Sequence, residues 1–246
     1  MVRRKIESLK AILVATSLKA ILVATFEEAV FLCTKARRAG VRRAGVRKAD
    51  SLRSFSAVAV DYDSKYEQYT KDTHPIVLAE LEKMSFSSVL DVSCGTGTIL
   101  SRISANVKKT GLDISPKMIY MAKQKLGDSA DLVVGDSEML PYANGSFDMV
   151  TCILAFHHFE RPEIVVKEMH RVLKKGGSVI LCDIYEPIFW RRLRANIFLR
   201  AFSDSGDLRF YSEREIKWLL NRVGFRSTVW KKAGKRFTAT GVRNWA

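Results

Sequence analysis

The chain has 246 residues, of which 47% are hydrophobic and 27% charged. This composition excludes a wholly disordered, a collagen-like and a disulfide-scaffold protein. Its 41 Lys and Arg against 26 Asp and Glu give a formal net charge of +15, which would favour nucleic acid as a partner if the cations shared one surface. Residues 1–50, however, hold 12 cationic and 4 anionic residues, a net +8, and leave +7 for the rest of the chain.

The basic first fifty residues contain two short tandem duplications. Residues 8–16 recur unchanged as residues 17–25, and residues 37–41 recur as residues 42–46. Two isolated repeats do not make a solenoid. A shift of nine residues rotates a helix by about two and a half turns, so the two copies would present different faces. We therefore expect residues 1–50 to be an extension that is poorly ordered or loosely helical.

Residues 51–246 are expected to form the functional domain. In the extension, Lys19 divides the apolar stretch into runs too short to span a membrane, and no clear cleavage site follows. A targeting segment or a membrane-surface helix is the alternative. The cysteines include no C-x-x-C pair, and neither the His nor the Cys spacing resembles a zinc site, so no metal is predicted. Free thiols favour a reducing compartment, here the cytoplasm.

From residue 51 onward, predicted strands alternate with predicted helices. Pro75 is placed near the first turn of a helix that continues to Met84. Another helix is predicted directly after the glycine-rich turn at residues 93–97, and Ser115 and Pro116 supply the N-cap and first-turn proline of the next. The apolar runs predict seven strands, at residues 88–92, 109–112, 131–134, 147–153, 178–184, 226–231 and 236–242.

The C-terminal half completes the fold prediction. A helix over residues 162–173 is expected to end at basic residues followed by glycines, and Ser212 and Glu215 form a capping box that opens the last helix. Alternating strands and helices predict an α/β fold with a doubly wound, mainly parallel seven-stranded sheet. The short turn between the last two strands predicts an antiparallel C-terminal edge hairpin.

Polar and glycine residues follow the predicted strands at the positions where such sheets bind ligands. Asp91 and the turn at residues 93–97 follow the first strand, Asp113 ends the second, and Asp136 follows the third. Ligands of doubly wound sheets bind beyond the carboxyl ends of the strands, near the reversal of strand order. Leu100 stands where a dinucleotide fingerprint would have a third small residue, which argues against a tight pyrophosphate turn.

Four segments in this order and spacing resemble the class I S-adenosylmethionine-dependent methyltransferases, particularly those acting on quinone rings and other small molecules. They are VLDVSCGTG (89–97), GLDIS (111–115), GDSEMLPYANGSFDMV (135–150) and VLKKGGSVIL (172–181). The resemblance covers roughly residues 60–246. It implies a Rossmann-like methyltransferase fold, S-adenosyl-L-methionine as cofactor and a small-molecule acceptor as partner.

The resemblance also implies a set of cofactor-binding residues. Asp113 would bind the ribose, Asp136 the adenine amino group, and Asp91 the methionine amino group. Taken singly, each aspartate has a turn or a helix cap as its commoner role. The family usually has glycine at Ser93, and serine is expected to need a more ordinary backbone or a small shift there. The full set is Asp91, Ser93, Gly95, Gly97, Asp113, Ile114, Asp136, Ser137 and Leu154.

His157 and His158, after the fourth strand, are the candidate catalytic residues. A sulfonium methyl is already electrophilic, so a base is needed only if the acceptor must first lose a proton. The alternative is that one histidine packs in the core and the other is solvated. The aromatic and basic residues 187–202 would form either a lid over the acceptor or a packed helix.

Two other functions stay open on the sequence alone. Methylation of RNA or another macromolecule would require the basic residues near 191–200 and 231–236 to form one stripe beside the cofactor. Against it, residues 154–157 replace the (D/N)PP(Y/F) signature of enzymes that methylate base amino groups. A cofactor-binding protein without catalytic activity is the third possibility.

Overall fold

The computed structural model describes residues 40–186 and 209–244, with the side chains of residues 40–47 and 50 left out. The chain divides into two compact units, residues 1–48 and residues 49–246. The duplicated segments before residue 40 and the predicted lid or helix at 187–202 lie outside the described residues.

The described helices and strands alternate over most of the second unit. The helices are α1 (Gly40–Val58), α2 (Tyr62–Lys65), α3 (Glu67–Leu81), α4 (Pro116–Leu126), α5 (Pro162–Val172) and α6 (Glu213–Val223). The strands are β1 (Ser88–Val92), β2 (Lys108–Asp113), β3 (Asp131–Val134), β4 (Phe147–Ile153), β5 (Leu173–Ile184), β6 (Phe225–Ala233) and β7 (Arg236–Arg243). Short 3-10 turns lie at Leu100–Arg102, Gly127–Ser129 and Phe156–His158.

The strands form one seven-stranded sheet in the order β3-β2-β1-β4-β5-β7-β6. Strands β1 to β5 pair in parallel, whereas β7 runs antiparallel to both β5 and β6. The predicted doubly wound α/β sheet with an antiparallel C-terminal hairpin is confirmed. Strand order reverses between β1 and β4, and this is where such sheets open a crevice for ligands.

Both faces of the sheet are covered by helices because the parallel strands are apolar on both sides. On one face, side chains of β1, β4 and β5 pack with those of α5 and α6; on the other, they pack with those of α3 and α4. Leu90, Val150 and Leu181 represent the first face, and Val89 and Ile180 the second. Each such side chain stabilises the fold by about 1.5–3 kcal/mol through burial. The sheet is therefore a rigid base for residues at its carboxyl edge.

The helix predicted to begin near Pro75 begins eight residues earlier, at Glu67. Pro75 lies inside α3 and lacks the N–H that would bond the carbonyl of Lys71. Both residues are exposed, so that carbonyl can bond to water. The Thr73 hydroxyl also donates to the Tyr69 carbonyl at 2.6 Å. The proline is tolerated because the interrupted bond lies on the solvent side of the helix.

Two other predicted elements differ from the structure. The turn at residues 93–97 leads into the 3-10 turn Leu100–Arg102 rather than an α-helix, so the glycine-rich turn is not backed by a long helix dipole. Strand β5 begins at Leu173, directly after α5, and includes the glycines that were expected to end the helix. The register between β4 and β5 shifts there, between Phe147 and Met149, so the glycines accompany a bulge.

Asp148 joins the starts of three strands. We therefore expect Asp148→Asn to lower the free energy of unfolding by about 2 kcal/mol at pH 7. Its Oδ2 accepts from the N–H and the hydroxyl of both Ser87 and Ser88 at 2.7–3.1 Å. Its Oδ1 accepts from Lys174 Nζ at 2.8 Å. Burial opposes ionisation, but Lys174 and the serine donors prevail and hold the pKa of Asp148 well below its ordinary value.

The sign of this effect follows from the lowered pKa. The stabilisation is complete above the unfolded-state pKa of about 3.9 and is lost as pH falls through the folded-state pKa. Urea unfolding of Asp148→Asn and of the wild type should therefore differ at pH 7 and converge in acid. The control is Asp131→Asn, since that side chain is 67% exposed and reaches Lys108 only at 3.8 Å. If the free energies of unfolding of Asp148→Asn and the wild type still differed by the same amount in strong acid, this role of the Asp148 carboxylate would be contradicted.

Candidate active site

Asp113, at the end of β2, ties the glycine-rich turn to the start of α4. Its Oδ2 accepts the Gly95 N–H at 2.9 Å, and its Oδ1 accepts the Ser115 N–H at 2.9 Å. The Ser115 hydroxyl caps α4 by accepting the Met118 N–H at 3.3 Å. Burial raises the pKa of Asp113, and the surrounding backbone N–H groups lower it, with a net rise. Each carboxylate oxygen has a further lone pair for a ligand hydroxyl.

Asp91 is a second buried carboxyl group at the same edge, in β1. Only 2% of the residue is exposed, and the Thr151 hydroxyl on β4 donates to its Oδ1 at 2.7 Å. Burial, together with the nearby charge of Asp113, raises the pKa of Asp91 to about 7. The two carboxyl groups therefore share one electrostatic environment at the switch point of the sheet.

The turn after β1 has left-handed backbone at three positions. Ser93 has φ 60°, Gly95 φ 54° and Gly97 φ 73°. The expectation that serine would take a more ordinary conformation at position 93 is wrong: Ser93 keeps the left-handed backbone, at a cost of about 1–2 kcal/mol. A Cβ atom on Gly97 would lie 2.7 Å from Leu126 Cδ1 in α4, whereas one on Gly95 would meet nothing within 4 Å. Gly97 is thus needed for packing, and Gly95 leaves open space beside Asp113.

The remaining predicted cofactor residues lie at the ends of β2, β3 and β4. Asp136 Oδ1 accepts the Glu138 N–H at 2.9 Å, so this carboxylate shapes its own turn as well as lying at the edge. Ser137 is buried and Ile114 half-buried. Leu154 has φ 54°, and its N–H donates to the Cys182 carbonyl at 2.8 Å. All nine predicted residues therefore lie at or just beyond the carboxyl ends of β1, β2, β3 or β4, at one sheet edge.

His157 forms a buried pair with Asp183, a residue that the sequence interpretation missed. His157 Nδ1 lies 2.6 Å from Asp183 Oδ1, and the His157 N–H donates to Asp183 Oδ2 at 2.9 Å. The exposed fractions are 5% for His157 and 1% for Asp183. The ring of His158 lies 3.9 Å from that of His157, centroid to centroid. A lone acid at the end of an otherwise apolar strand, LCDI in β5, was the available signal.

The end of α1 and the residues of α2 also contact the carboxyl edge. The Ser56 and Ser115 hydroxyls lie 2.9 Å apart, and the rings of Phe55 and His158 meet edge to face at 5.0 Å. These contacts join α1 to the ends of β2 and β4. They place a helix beside the candidate site that sequence reasoning did not connect with it.

Asp63 in α2 fastens that region to the glycine-rich turn. It accepts from the Thr96 hydroxyl at 2.6 Å, the Thr98 hydroxyl at 3.1 Å and Lys125 Nζ at 2.6 Å. Burial raises the pKa of Asp63, but the bonds from Lys125 and the threonines outweigh it and give a net lowering. The turn is thus held from two sides, by Asp113 from the sheet and by Asp63 from the helix.

Comparison with known proteins finds similarity to methyltransferases. A family model described as "Methyltransferase domain" matches residues 90–181. A demethylmenaquinone methyltransferase of Thermotoga maritima is 31% identical over 144 residues, which span 56% of this chain and 62% of that protein. These matches support a class I S-adenosylmethionine-dependent methyltransferase. A demethylmenaquinone methyltransferase of Staphylococcus aureus is 29% identical over 179 residues, or 68% of this chain and 74% of that protein.

Solved structures agree with the family on the fold. A chain from the complex of the Haloferax volcanii Trm112 methyltransferase activator with a methyltransferase superposes with a TM-score of 0.69. It is 20% identical, and the match covers 79% of this chain and 98% of that chain. The Rossmann-like methyltransferase fold predicted from the four motifs is therefore confirmed.

The matched region contains most of the candidate site but leaves out part of it. Residues 90–181 include the two coupled carboxyl groups, the glycine-rich turn and both histidines. Asp183 and the α1 and α2 residues that contact the edge lie outside that span. Within residues 40–186 and 209–244, no helix has the length and apolarity needed to cross a bilayer.

Proposed function

We propose that this methyltransferase uses S-adenosyl-L-methionine to methylate a small-molecule acceptor. The observation that carries the proposal is Asp113, a buried carboxyl group that bonds the glycine-rich turn and keeps lone pairs for two more donors. Both relatives named above are demethylmenaquinone methyltransferases, which supports an acceptor with a quinone-like ring. We place the protein in the cytoplasm because the three described cysteines are unpaired.

The residues present suit this cofactor. Asp113 would accept the ribose hydroxyls, and the open space at Gly95 would admit the methionyl part. Asp91 would face the methionine amino group, and Asp136 with Ile114 would hold the adenine. Ser93, Gly97, Ser137 and Leu154 would complete the contact surface. When bound, the cofactor supplies a methyl group on a positively charged sulfur, which is an electrophile without further activation.

The chain's own residues would position the acceptor and take its proton. Holding the two reactants in line can supply on the order of 7–11 kcal/mol. Asp183 holds His157 Nδ1, so Nε2 would be the nitrogen that removes a proton from the acceptor. His157 would hold that proton, while the bound cofactor would supply the methyl group to the acceptor and keep the electron pair of its carbon–sulfur bond. His158 lies between Phe55 and His157 and would help to shape the acceptor side.

The macromolecular alternative gains no support. In the basic turn at residues 231–236, Lys231 Nζ donates to the two carboxylate oxygens of Glu80 at 2.9 and 3.0 Å. Arg236 is buried, with 6% of the residue exposed. Arg236 is therefore not part of an exposed stripe for phosphates, and the charge of Lys231 is paired with that of Glu80. The basic residues at 191–200 lie outside the described part of the chain.

Cofactor affinity should depend on pH through Asp91. Its pKa of about 7 means that the carboxyl group is protonated in mild acid, and only the ionised form attracts an ammonium group. We expect the dissociation constant for S-adenosylmethionine to fall up to tenfold per pH unit as pH rises towards 7, then to level off. Calorimetry between pH 5.5 and 8.5 measures this, and Asp91→Asn should abolish the dependence. A profile that Asp91→Asn leaves unchanged would assign the proton elsewhere.

We further propose that residues 1–50 are an extension and residues 51–246 the functional domain. The contacts of Phe55 and Ser56 with the edge belong to the retained part. Deletion of residues 1–50 should therefore leave the cofactor dissociation constant within about twofold of the full chain. A truncated chain that folds, shown by its circular dichroism, but no longer binds the cofactor would refute this division.

The acceptor class is tested by trapping labelled methyl groups. The full chain is incubated with methyl-labelled S-adenosylmethionine and a cell extract, and the label is followed into small molecules, RNA and protein. We expect the label in the small-molecule fraction, and in none of the fractions when Asp113→Ala replaces the wild type. Label in RNA or protein would instead support the macromolecular alternative, and no label in any fraction would favour the non-catalytic one.

A further inference from the structure

Arg236, the first residue of β7, is a buried cation held only by neutral groups. It is 6% exposed. Its Nε donates to the Thr73 hydroxyl at 2.9 Å, its Nη1 donates to the Lys235 carbonyl at 3.2 Å, and its guanidinium lies 5.2 Å from the centre of the Tyr69 ring. Among residues 40–186 and 209–244, no carboxylate lies within ion-pair distance of it. A buried charge without a counter-charge is costly unless something else balances it.

The guanidinium has donors to spare. Arginine has five N–H groups, and the two hydrogen bonds to Thr73 and Lys235 use one on Nε and one on Nη1. Within residues 40–186 and 209–244, one N–H of Nη1 and both of Nη2 are left, and these two nitrogens form the outer end of the guanidinium plane. That end matches the two oxygens of a carboxylate, which arginine binds through a pair of parallel hydrogen bonds.

Arg236 lies at the same edge of the sheet as the candidate active site. It pairs with Ile184, the last residue of β5, in the antiparallel register, and β5 runs parallel to β4 and thus to β1. Residues opposite each other in an antiparallel pair share a face, and Thr73 places Arg236 on the α3 side. Val89, which belongs to the α3 and α4 face, puts Asp91 two residues later on that same side.

A row of aromatic rings connects Arg236 with the cofactor residues. The centroids of Tyr69 and Tyr66 lie 6.2 Å apart, those of Tyr66 and Tyr62 4.7 Å, and those of Tyr62 and Phe55 6.4 Å. Phe55 meets His158 at 5.0 Å. Besides burial, the charges of Tyr66 and Asp113 help to raise the pKa of Tyr62 to about 12, so Tyr62 lies near the proposed ribose site. The rings of the row meet edge-on or tilted, and aromatic rings attract one another in such geometries, so the row suits an aromatic ligand.

We propose that Arg236 binds a carboxylate group of the acceptor, whose aromatic ring lies along the row Phe55, Tyr62, Tyr66 and Tyr69. This inference rests on the proposed function and narrows it to aromatic acids. The carboxylate supplies the missing counter-charge, and the rings orient the reacting end towards the cofactor residues. Tyr69 is 48% exposed and Arg236 is 6% exposed, so a ligand would have to enter past Tyr69 to reach the guanidinium.

The test compares aromatic acids with their neutral amides. The full chain, saturated with S-adenosylhomocysteine, is titrated with 4-hydroxybenzoate, 3,4-dihydroxybenzoate and 4-hydroxycinnamate, each beside its amide. We expect at least one acid to bind at least tenfold more tightly than its amide. Arg236→Leu should bring the pair to equal affinity, Arg236→Lys should keep part of the preference, and the exposed control Arg226→Gln should keep all of it.

The outcomes separate this inference from the proposed function. If no acid is preferred to its amide, including the case in which none binds, the carboxylate site is overturned. A preference that survives Arg236→Leu overturns it too, and Arg236→Lys serves as the deciding variant if the leucine variant does not fold. A wild-type chain that fails to bind S-adenosylhomocysteine would instead contradict the proposed function itself.

Discussion

Replacing Asp113 with alanine should weaken S-adenosylmethionine binding by a hundredfold or more. Two charge-assisted hydrogen bonds to the ribose would be lost, each contributing about 1.5–3 kcal/mol. The Gly95 and Ser115 N–H groups would also lose their acceptor, so the turn and the start of α4 would loosen around the same ligand. Calorimetric titration of the variant gives the dissociation constant directly.

The control for Asp113→Ala is Asp131→Ala. Asp131 lies at the start of β3, and its side chain is 67% exposed, so its removal should leave cofactor binding unchanged. Asp113→Asn separates shape from charge, because the amide keeps the size of the side chain but only one acceptor oxygen. If Asp113→Ala folds, as judged by its thermal unfolding, and binds the cofactor like the wild type, the ribose role of Asp113 is wrong.

Replacing His157 with a residue that has no imidazole should lower the rate of methyl transfer by about 10²–10⁴-fold if the acceptor must lose a proton. That is the range by which a general base raises a reaction rate. Asp183→Asn should lower the rate by on the order of 10², since the amide no longer orients the ring through Nδ1. In both cases cofactor binding should persist, because the pair is proposed to act on the acceptor and not on the cofactor. Release of S-adenosylhomocysteine with the acceptor fraction of a cell extract measures the rate.

The pH profile distinguishes a positioning role of Asp183 from a purely structural one. A neutral imidazole is required, so the wild-type rate should rise with pH and level off, and in Asp183→Asn the rise should move to lower pH because the imidazolium loses its carboxylate. His170→Gln is the matched control, since that ring packs on Phe225 at 4.9 Å. Variants at His157 and Asp183 that retain the wild-type rate and profile would eliminate the base role.

The parts of the fold that the sequence predicted well depend on local patterns. Strands β1, β3 and β4 have the predicted bounds because each is a short, mostly apolar run, and β1 and β3 are followed by a serine and a glycine. The cap of α4 at Ser115 and the capping box of α6 follow from side chains close in sequence. The order of acids at the strand ends was visible for the same reason, since parallel strands bring their carboxyl ends to one edge.

The parts that could not be predicted depend on contacts between distant residues. Pro75 is accommodated within α3 because Pro75 and Lys71 face solvent, which no local pattern states. Asp183 is a partner of His157 only because β4 and β5 are neighbours in the sheet. Likewise, Phe55 and Asp63 reach the edge through the packing of α1 and α2, and the unpaired charge of Arg236 appears only once its burial and its partners are known.

Calorimetric titration of the full chain with S-adenosylmethionine, and in parallel with NADH, tests the central claim most directly. NADH has a pyrophosphate, which S-adenosylmethionine lacks. Leu100 stands where a pyrophosphate-binding turn needs a small residue. We predict saturable binding of S-adenosylmethionine at one site per chain and no binding of NADH. Binding of NADH, or no binding of S-adenosylmethionine by the folded chain, would contradict the account.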